Sequence, residues 1–272
     1  MAKLFSVASW NVEHFRSQNT PSRKTDVVAF LNAQDPDVFA LYEVEGREIF
    51  TELTQLMPAY TFHITEGRNT QEILVGLRHG LTGFVTQRTE FQSGNSLLRP
   101  GALLTLTIGG ENYSLLFLHT KSGNTPQGLG LRDDMLERAI EFTKALDKKA
   151  GPGKRAKYIF LGDFNIMGME YRFVRERDIL AELELLKLQR LAPKRKMKVL
   201  EKDRPNTWWG GGTLPESNLD FVVAREEIKF AAFDGGANVA VRGWPDEPTP
   251  QKRLKWVKEM SDHALLYFEV HV

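Results

Sequence analysis

Two polar residues, Asp163 and Asn165, follow an apolar run at a spacing that suits phosphate chemistry. The run Tyr158-Ile159-Phe160-Leu161 is typical of a buried strand that ends in a tight turn at Gly162. Side chains two positions apart on an extended segment point the same way, so both would face one cleft. Phosphodiester hydrolysis needs a polarised water in line with phosphorus, and an acid beside an amide can hold it. Such turns are common after strands, so the motif alone is not decisive.

Further polar side chains recur where an apolar strand is predicted to stop. Active sites are often built at such ends because the sheet is rigid and the loops are free to vary. Each residue has a structural alternative: Glu43 could open a helix, His119 could close a strand, and Asp262-His263 could form a turn. The recurrence favours one shared site. Its candidates are Asn11, Glu13, Glu43, His119, Asp163, Asn165, Asp220, Asp262 and His263.

Hydrophobic periodicity predicts the elements that must position these residues. Strands are expected at 4–10, 38–42, 60–65, 72–79, 83–91, 102–108, 113–119, 158–162, 219–224 and 264–270. Helices are expected at about 23–33 with Ser22 as cap, 46–57, 132–149 and near 170–190, with a basic loop at 192–206. Because hairpins and helices both occur, we expect an α/β fold in which two mixed sheets pack face to face between helices.

Composition limits the classes of protein to consider. The 272 residues are 42% hydrophobic and 26% charged, a balance typical of one large globular α/β domain. The formal net charge of +1 provides no global field for a polyanion, so any nucleic-acid contact must come from a local patch. The absence of cysteine excludes disulfides, thiolate metal sites and a cysteine nucleophile.

The N-terminal run resembles a strand and lacks the longer apolar stretch of a signal peptide. No window approaches the length of an apolar membrane span, so we expect no membrane partner. A cytoplasmic location is expected, although an exported protein whose signal had been removed would look the same. No obligate protein partner is evident from the sequence.

Six motifs, in this order, resemble the endonuclease/exonuclease/phosphatase superfamily. The resemblance covers nearly the whole chain, from residue 5 to residue 270, and the six motifs together are far more specific than any one alone. The motifs are Ser9-Trp10-Asn11-Val12-Glu13, Leu41-Tyr42-Glu43, Leu118-His119, Leu161-Gly162-Asp163-Phe164-Asn165, Asn218-Leu219-Asp220-Phe221 and Ser261-Asp262-His263. The family includes pancreatic-type deoxyribonucleases, abasic-site endonucleases, sphingomyelinases, inositol polyphosphate 5-phosphatases and deadenylases. The resemblance implies a four-layer α/β sandwich, one catalytic domain over residues 1–272, and metal-dependent cleavage of phosphate esters.

The resemblance also implies a Mg²⁺ site, with Mn²⁺ as a substitute. Glu43 matches the principal ligand, and hard oxygen donors suit Mg²⁺. Asn11 and Asp262 would complete or neighbour that site. Glu13 would be a second ligand, at a position where many members of the family carry Asp.

The catalytic assignments follow from the same motifs. Asp163 matches the residue that holds or deprotonates the attacking water, with Asn165 beside it on the phosphate. His263 matches the imidazole that contacts the scissile phosphate, oriented by Asp220. A carboxylate behind an imidazole fixes its tautomer and favours the cation, which suits an anionic transition state.

His119 indicates the branch that resembles pancreatic-type deoxyribonuclease, because the best-known abasic-site endonucleases carry Tyr there. Sphingomyelinases and 5-phosphatases also carry His. Within this branch Glu72 is expected to pair with His119, and Arg99 and His119 to bind the phosphate. Glu72 and Arg99 could equally belong to solvated turns. Tyr42 replaces the usual Gln before the metal-binding Glu, which leaves the ligand itself unchanged.

Two segments bear on the substrate. The densest basic run, Lys194-Arg195-Lys196-Met197-Lys198, either grips a nucleic-acid backbone or is a solvated loop. The pair Trp208-Trp209, on a glycine-rich loop before Asp220, either stacks on a base or abasic sugar or packs the loop onto the body.

The sequence therefore predicts a divalent-metal-dependent phosphodiesterase, and the first choice among these enzymes is a nuclease acting on DNA. The alternative within enzymes is a phosphomonoesterase acting on an inositol phosphate or another small phosphate ester, for which no clamp motif is recognisable. A catalytically silent binding module would have lost at least one core residue, and all of them are present.

Overall fold

The computed structural model describes residues 2–68, 71–170 and 177–272, in which strands and helices are mixed along the chain. The strands are β1 (Lys3–Arg16), β2 (Val38–Glu45), β3 (Tyr60–Ile64), β4 (Gln71–Arg78), β5 (Thr82–Arg88), β6 (Gly101–Ile108), β7 (Glu111–His119), β8 (Lys157–Asp163), β9 (Met197–Val199), β10 (Asp220–Arg225), β11 (Lys229–Phe230), β12 (Ala240–Arg242) and β13 (Leu265–His271). The α-helices are α1 (Pro21–Gln34), α2 (Arg47–Leu56), α3 (Pro126–Glu141), α4 (Thr143–Ala150), α5 (Arg177–Lys194) and α6 (Pro250–Glu259).

The strands form two mixed sheets. The first has the order β11-β13-β1-β2-β4-β3, with β12 also paired to β13, and the second has the order β5-β6-β7-β8-β10-β9. In each sheet one central pair is parallel, β1 with β2 and β7 with β8, and the remaining pairs are antiparallel. The predicted α/β class with two mixed sheets is confirmed.

Apolar side chains fill the space between the two sheets and the space under the helices. Val7 and Val75 of the first sheet meet Leu115 and Val222 of the second in the inner layer. The outer face of the first sheet packs against α1 and α2, and that of the second packs against α3 and α5. Burying one large aliphatic or aromatic side chain contributes about 1.5–3 kcal/mol to stability. The central strands are therefore apolar on both faces, which explains their near-continuous apolar sequences.

Strand register brings the candidate residues to one rim. In the first sheet Asn11 lies opposite Tyr42, one residue before Glu43. In the second sheet Asp163 lies between two partners, His119 on β7 and Asp220 on β10. The ends of both parallel pairs thus meet at the same edge of the sandwich.

Two helices differ from the sequence prediction. The cap of α1 is Thr20 and not Ser22, because Pro21 takes the first helical position and the Thr20 hydroxyl accepts the backbone N–H of Arg23 at 3.3 Å. The helix predicted at 132–149 begins earlier, at Pro126, and is split into α3 and α4. At the split the Thr143 hydroxyl donates to a main-chain carbonyl one turn earlier, which competes with helix continuation.

The predicted loop at 192–206 contains a strand, β9, in which Met197 is buried and pairs with Arg225. A run this short, with lysines on both sides of Met197, carries too little periodicity to predict a strand. The predicted strand at 83–91 ends at Arg88 and is followed by a 3₁₀ turn. Two helical pieces are predicted near 170–190. Residues 177–194 form the single helix α5, and residues 171–176 lie outside the described residues. Among the described residues, no helix is long and apolar enough to cross a membrane.

Candidate active site

A cleft of about 350 Å³ opens at this rim between the two sheets. It is lined by Glu13, His14, Glu43, His119, Ser122, Asp163, Asn165, Met167, Trp208, Ser217, Leu219, Asp262 and His263. Most of the residues that the sequence assigns to one site therefore border one cavity. Two others, Asn11 and Asp220, contact the lining residues directly.

Asp163 is buried at the centre of the cleft wall. Its Oδ2 accepts from Nδ2 of Asn11 at 3.1 Å, and its Oδ1 accepts from the backbone N–H of Asn165 at 2.9 Å. Burial raises the pKa of Asp163, and the Asp220 carboxylate adds to this, while the imidazolium of His263 acts in the opposite direction. A carboxylate whose pKa is raised in this way can take a proton from water near neutral pH.

His263 faces Asp163 and is backed by a second carboxylate. Its Nδ1 lies 2.9 Å from Oδ2 of Asp220, and its Nε2 lies 3.8 Å from Oδ2 of Asp163. Burial lowers the pKa of His263, but the two carboxylates outweigh burial and raise it above its ordinary value. Asp220 is fixed in turn by Thr207, whose hydroxyl accepts its backbone N–H at 3.0 Å. The arrangement holds an imidazolium at the cleft wall.

The neighbouring part of the wall carries acids on unusual backbone. A bulge in β1 between Asn11 and Phe15 places Glu13 and His14 at φ of 44° and 50°, and Glu43 on β2 has φ of 62°. Residues other than glycine seldom adopt these angles, and such strain costs about 1–3 kcal/mol per residue and gathers at functional sites. The bulge turns the side chains of Glu13 and His14 into the cleft.

Hydrogen bonds hold the carboxylate of Glu43, the residue that matches the principal metal ligand of the family. Glu43 accepts from Nδ2 of Asn11 at 3.1 Å through Oε1, and from the backbone N–H of His14 at 3.2 Å through Oε2. Gln71 also donates to Oε2, at 3.3 Å. Asp262 accepts from the indole N–H of Trp208 at 2.7 Å.

The acids of this wall crowd one another. The pKa of Glu13 is raised by burial and further by the nearby Asp262 and Glu43, with Arg23 acting the other way. Arg23 also donates to the carbonyls of Glu13 and Met260, which ties the β1 bulge to the segment that carries Asp262. Oxygen donors that repel one another in this way fit a hard divalent cation, which would relieve the repulsion.

A second set of donor atoms also lies at the cleft. Asp163, Asp220 and His263 bring ligand atoms within 4.8 Å of one another and could hold a cation. Two of these atoms already share the hydrogen bond between His263 and Asp220. The oxygen donors around Glu43 suit a hard divalent cation by their ligand type.

The predicted pairing of Glu72 with His119 is wrong. Glu72 accepts from the Thr65 hydroxyl at 2.5 Å and from the backbone N–H of Gly67 at 2.7 Å, because the turn before β4 supplies closer donors. Nε2 of His119 instead lies 3.4 Å from Oδ2 of Asp163, and in the described part of the chain its Nδ1 has no hydrogen-bond partner. Burial lowers the pKa of His119 well below its usual range, with further lowering by Arg99, so this imidazole is neutral.

Arg99 lies beside the cleft and does not line it. Its Nε donates to the carbonyl of Gln71 at 3.0 Å, and a terminal nitrogen donates to the Gln71 side chain. Burial lowers the pKa of Arg99, and the carboxylates of Glu43 and Asp163 oppose this lowering. The guanidinium is therefore within electrostatic reach of the site.

The two tryptophans have different surroundings. Trp208 lines the cleft and binds Asp262, whereas Trp209 packs against Trp244 with ring centroids 5.9 Å apart. Trp209 therefore packs its loop onto the body, whereas stacking of Trp208 on a base stays a prediction. The cleft is also lined by residues that were not predicted: His14, Ser122, Met167, Ser217 and Leu219. His14 depends on the bulge, which no glycine marks.

Neither the basic run at 194–198 nor a second one, Lys154-Arg155-Ala156-Lys157, borders this cleft. Met197 pairs with Arg225 at the far end of β10, whereas Asp220 begins that strand at the cleft. Lys157 likewise begins β8 at the end opposite Asp163. The run at 194–198 therefore does not grip a backbone at the catalytic rim.

Comparison with solved structures supports the fold. A humanized TDP2 from D. rerio is 18% identical and has a TM-score of 0.70 over 98% of this chain and 99% of that one. D. rerio TDP2 complexed with a single-strand DNA product has a TM-score of 0.68 at 18% identity, over 98% and 99%. A mannosyl-6-phosphatase from Bacteroides thetaiotaomicron VPI-5482 has a TM-score of 0.60 at 14% identity, over 98% and 100%.

Sequence comparison gives the family. Tyrosyl-DNA phosphodiesterase 2 from Bos taurus is 23% identical over 177 residues, which are 61% of this chain and only 43% of that relative. The model of the Endonuclease/Exonuclease/phosphatase family matches residues 8–263, which include every motif of the cleft. The chain belongs to the Endonuclease/Exonuclease/phosphatase family and is a metal-dependent phosphoric-ester hydrolase.

Proposed function

We propose that this protein is a divalent-metal-dependent phosphodiesterase that hydrolyses phosphodiester bonds in DNA. The observation that carries the proposal is the placement on one cleft wall of a buried carboxylate, Asp163, beside an imidazole, His263, 3.8 Å away. The first can accept a proton from water and the second can stabilise negative charge. Both are needed at one phosphorus atom for hydrolysis.

Asp163 holds the attacking water and takes its proton. Asn11 and the backbone N–H of Asn165 fix the carboxylate, so its orientation is set before substrate binds. As the water oxygen bonds to phosphorus, its proton passes to Asp163. The bridging P–O bond then breaks on the opposite side, and the leaving oxygen departs with the electron pair.

Hydrogen-bond donors around the cleft stabilise the negative charge that develops on the phosphoryl oxygens. The His263 imidazolium, held by Asp220, and the Asn165 amide contact these oxygens. The neutral His119 and the Arg99 guanidinium add further donors beside them. Donors fixed in advance at a site of developing charge typically contribute about 10²–10³-fold in rate each.

The cation belongs on the wall of Glu43, with Asn11, Asp262 and Glu13 completing or neighbouring its site. When bound there, Mg²⁺ would neutralise negative charge on the phosphate and on the leaving oxygen. The protein's part is to hold Glu43 by the hydrogen bonds from Asn11 and His14.

DNA is the favoured substrate for two reasons. The Trp208 ring lines the cleft, where an aromatic face can stack on a base. In addition, a relative is named a tyrosyl-DNA phosphodiesterase, and a similar fold is known with a single-strand DNA product. A phosphomonoesterase is the second candidate, because a mannosyl-6-phosphatase shares the fold.

The proposal is tested with supercoiled plasmid, an oligonucleotide carrying a tyrosyl group on a terminal phosphate, and a panel of phosphate monoesters. Each is incubated with protein in Mg²⁺, in EDTA, and with the Asp163→Asn variant. Cleavage of either DNA substrate that requires both metal and Asp163 supports the proposal. Activity confined to the monoesters would overturn it in favour of the phosphatase.

A further inference from the structure

A second concave site lies at the end of the sandwich opposite the catalytic cleft. It is a groove of about 440 Å³ between α4, the α4–β8 loop and the β6–β7 hairpin. Its floor includes the Ser114 and Thr105 side chains, on the outer face of the second sheet. Its basic lining residues are Lys149, Lys154, Arg155 and Lys157, and the one acid is Glu111.

Three of these cations form no ion pair with any residue that the structure describes. Among the ion pairs of the described residues, none involves Lys149, Lys154 or Arg155, whereas Lys157 lies 3.6 Å from Glu111. Cations nearby on the same side are paired: Arg195 with Glu141 at 2.7 Å, and Arg225 with Asp147 at 2.6 Å. In a chain of net charge +1, the groove is thus a local concentration of uncompensated positive charge.

The groove is held open by contacts that do not use its cations. Asp147 accepts the backbone N–H of Ala156 at 2.9 Å and also binds the buried Arg225. The backbone N–H of Lys154 donates to the carbonyl of Gly151 at 3.1 Å. The loop that presents the charges is therefore anchored by its main chain, and the fold does not depend on those charged ends.

We propose that this groove binds backbone phosphates of a nucleic acid. Unpaired Lys and Arg in a concave, preformed site are the groups that bind phosphate through charge and counterion release. Lys157 and Asp163 mark the two ends of β8, so the groove lies about 20 Å from the catalytic carboxylate at ~3.3 Å per residue. A strand that reaches from the cleft to the groove must be longer than one held in the cleft alone. The choice of nucleic acid as the source of phosphate rests on the proposed function.

The test uses a triple variant, Lys149→Ala with Lys154→Ala and Arg155→Ala, in the Asp163→Asn background so that DNA is not cut. The matched control removes Lys252, Lys255 and Lys258 of α6, a helix that packs on Trp10 and Phe30 outside the first sheet. Fluorescence anisotropy measures the Kd of a short and a long single-stranded oligonucleotide over a range of salt concentrations. The lengths are ~3 and ~30 nucleotides, because at ~3.4 Å per nucleotide only the longer strand can span the distance from cleft to groove.

The groove variant is expected to bind the long strand about tenfold more weakly, with a salt slope lower by ~2, since each lost contact on a single strand removes ~0.7. Binding of the short strand should not change, and the control should behave like its parent. Unchanged long-strand affinity and slope in the groove variant, or an equal loss in the control, would overturn the proposal.

Two further measurements separate the alternatives. If inorganic phosphate binds the parent with one-to-one stoichiometry, and the groove variant loses this while keeping long-strand affinity, the groove takes small phosphates and the backbone proposal is wrong. Turnover of bis(p-nitrophenyl) phosphate, measured with active protein, should be the same with and without the groove substitutions. Failure of wild type to cut any DNA would refute the proposed function, whereas the length-dependent binding would still stand.

Discussion

Nδ1 of His263 lies 2.9 Å from Oδ2 of Asp220, and both side chains are buried. Burial alone would lower the pKa of the imidazole, yet Asp220 and Asp163 raise it. The charge of His263 in the cleft therefore depends on the carboxylate behind it. We therefore expect the rate of hydrolysis to depend on pH through this pair.

Asp220→Asn should lower kcat by about 10²-fold and move the alkaline limb of the pH–rate profile to lower pH. The sign follows from the raised pKa: the imidazolium persists to higher pH while Asp220 is charged, and a neutral amide no longer supports it. The measurement is the rate of bis(p-nitrophenyl) phosphate hydrolysis from neutral to alkaline pH. An alkaline limb that stays in place would show that His263 is not the group that titrates there.

Asp163→Asn should lower kcat by at least ~10²-fold with a smaller effect on KM, because the amide keeps the shape of the side chain but cannot accept the proton. Circular dichroism should give a native spectrum. The matched control is Asp26→Asn, at an exposed position on α1. Wild-type turnover in the Asp163 variant would remove this residue from the role of base.

Glu43→Gln should raise the Mg²⁺ concentration needed for half-maximal activity by at least ~10-fold, since a neutral amide oxygen is a weaker ligand than a carboxylate. Binding of Mn²⁺ followed directly by calorimetry should weaken in parallel. Glu48→Gln, at an exposed position in α2, serves as the control. If both titrations of the Glu43 variant match those of wild type, the cation site lies elsewhere.

The placement of Asp163, His119 and Asp220 could be predicted because it depends on strand ends. The apolar runs before or after them are long, and parallel and antiparallel register brings them side by side. The two-sheet fold followed from the same runs. Local polar and apolar patterns decide these features, so one sequence is enough to predict them.

Contacts that depend on backbone irregularity could not be predicted. The left-handed Glu13 and His14 form the β1 bulge that brings His14 into the cleft, and no glycine marks it. Glu72 was assigned to His119 by motif, but closer donors at Thr65 and Gly67 take its carboxylate. The spacing of residues does not show which of several possible partners a side chain will bind.

Trp208 contributes to the site in two ways. Its ring lines the cleft, and its indole N–H donates to Asp262 at 2.7 Å. Trp208→Phe keeps an aromatic face and removes the donor. It should weaken Mg²⁺ and Mn²⁺ binding several-fold while leaving DNA affinity nearly unchanged.

Trp208→Ala should weaken both metal binding and DNA binding, with loss of a stacked base costing about 1–3 kcal/mol. Trp209→Phe is the control, since that ring packs on Trp244 away from the acids. The two readouts are metal calorimetry and anisotropy of a short single strand in the Asp163→Asn background. Equal DNA affinity in the Phe and Ala variants would rule out stacking and leave Trp208 only as the residue that positions Asp262.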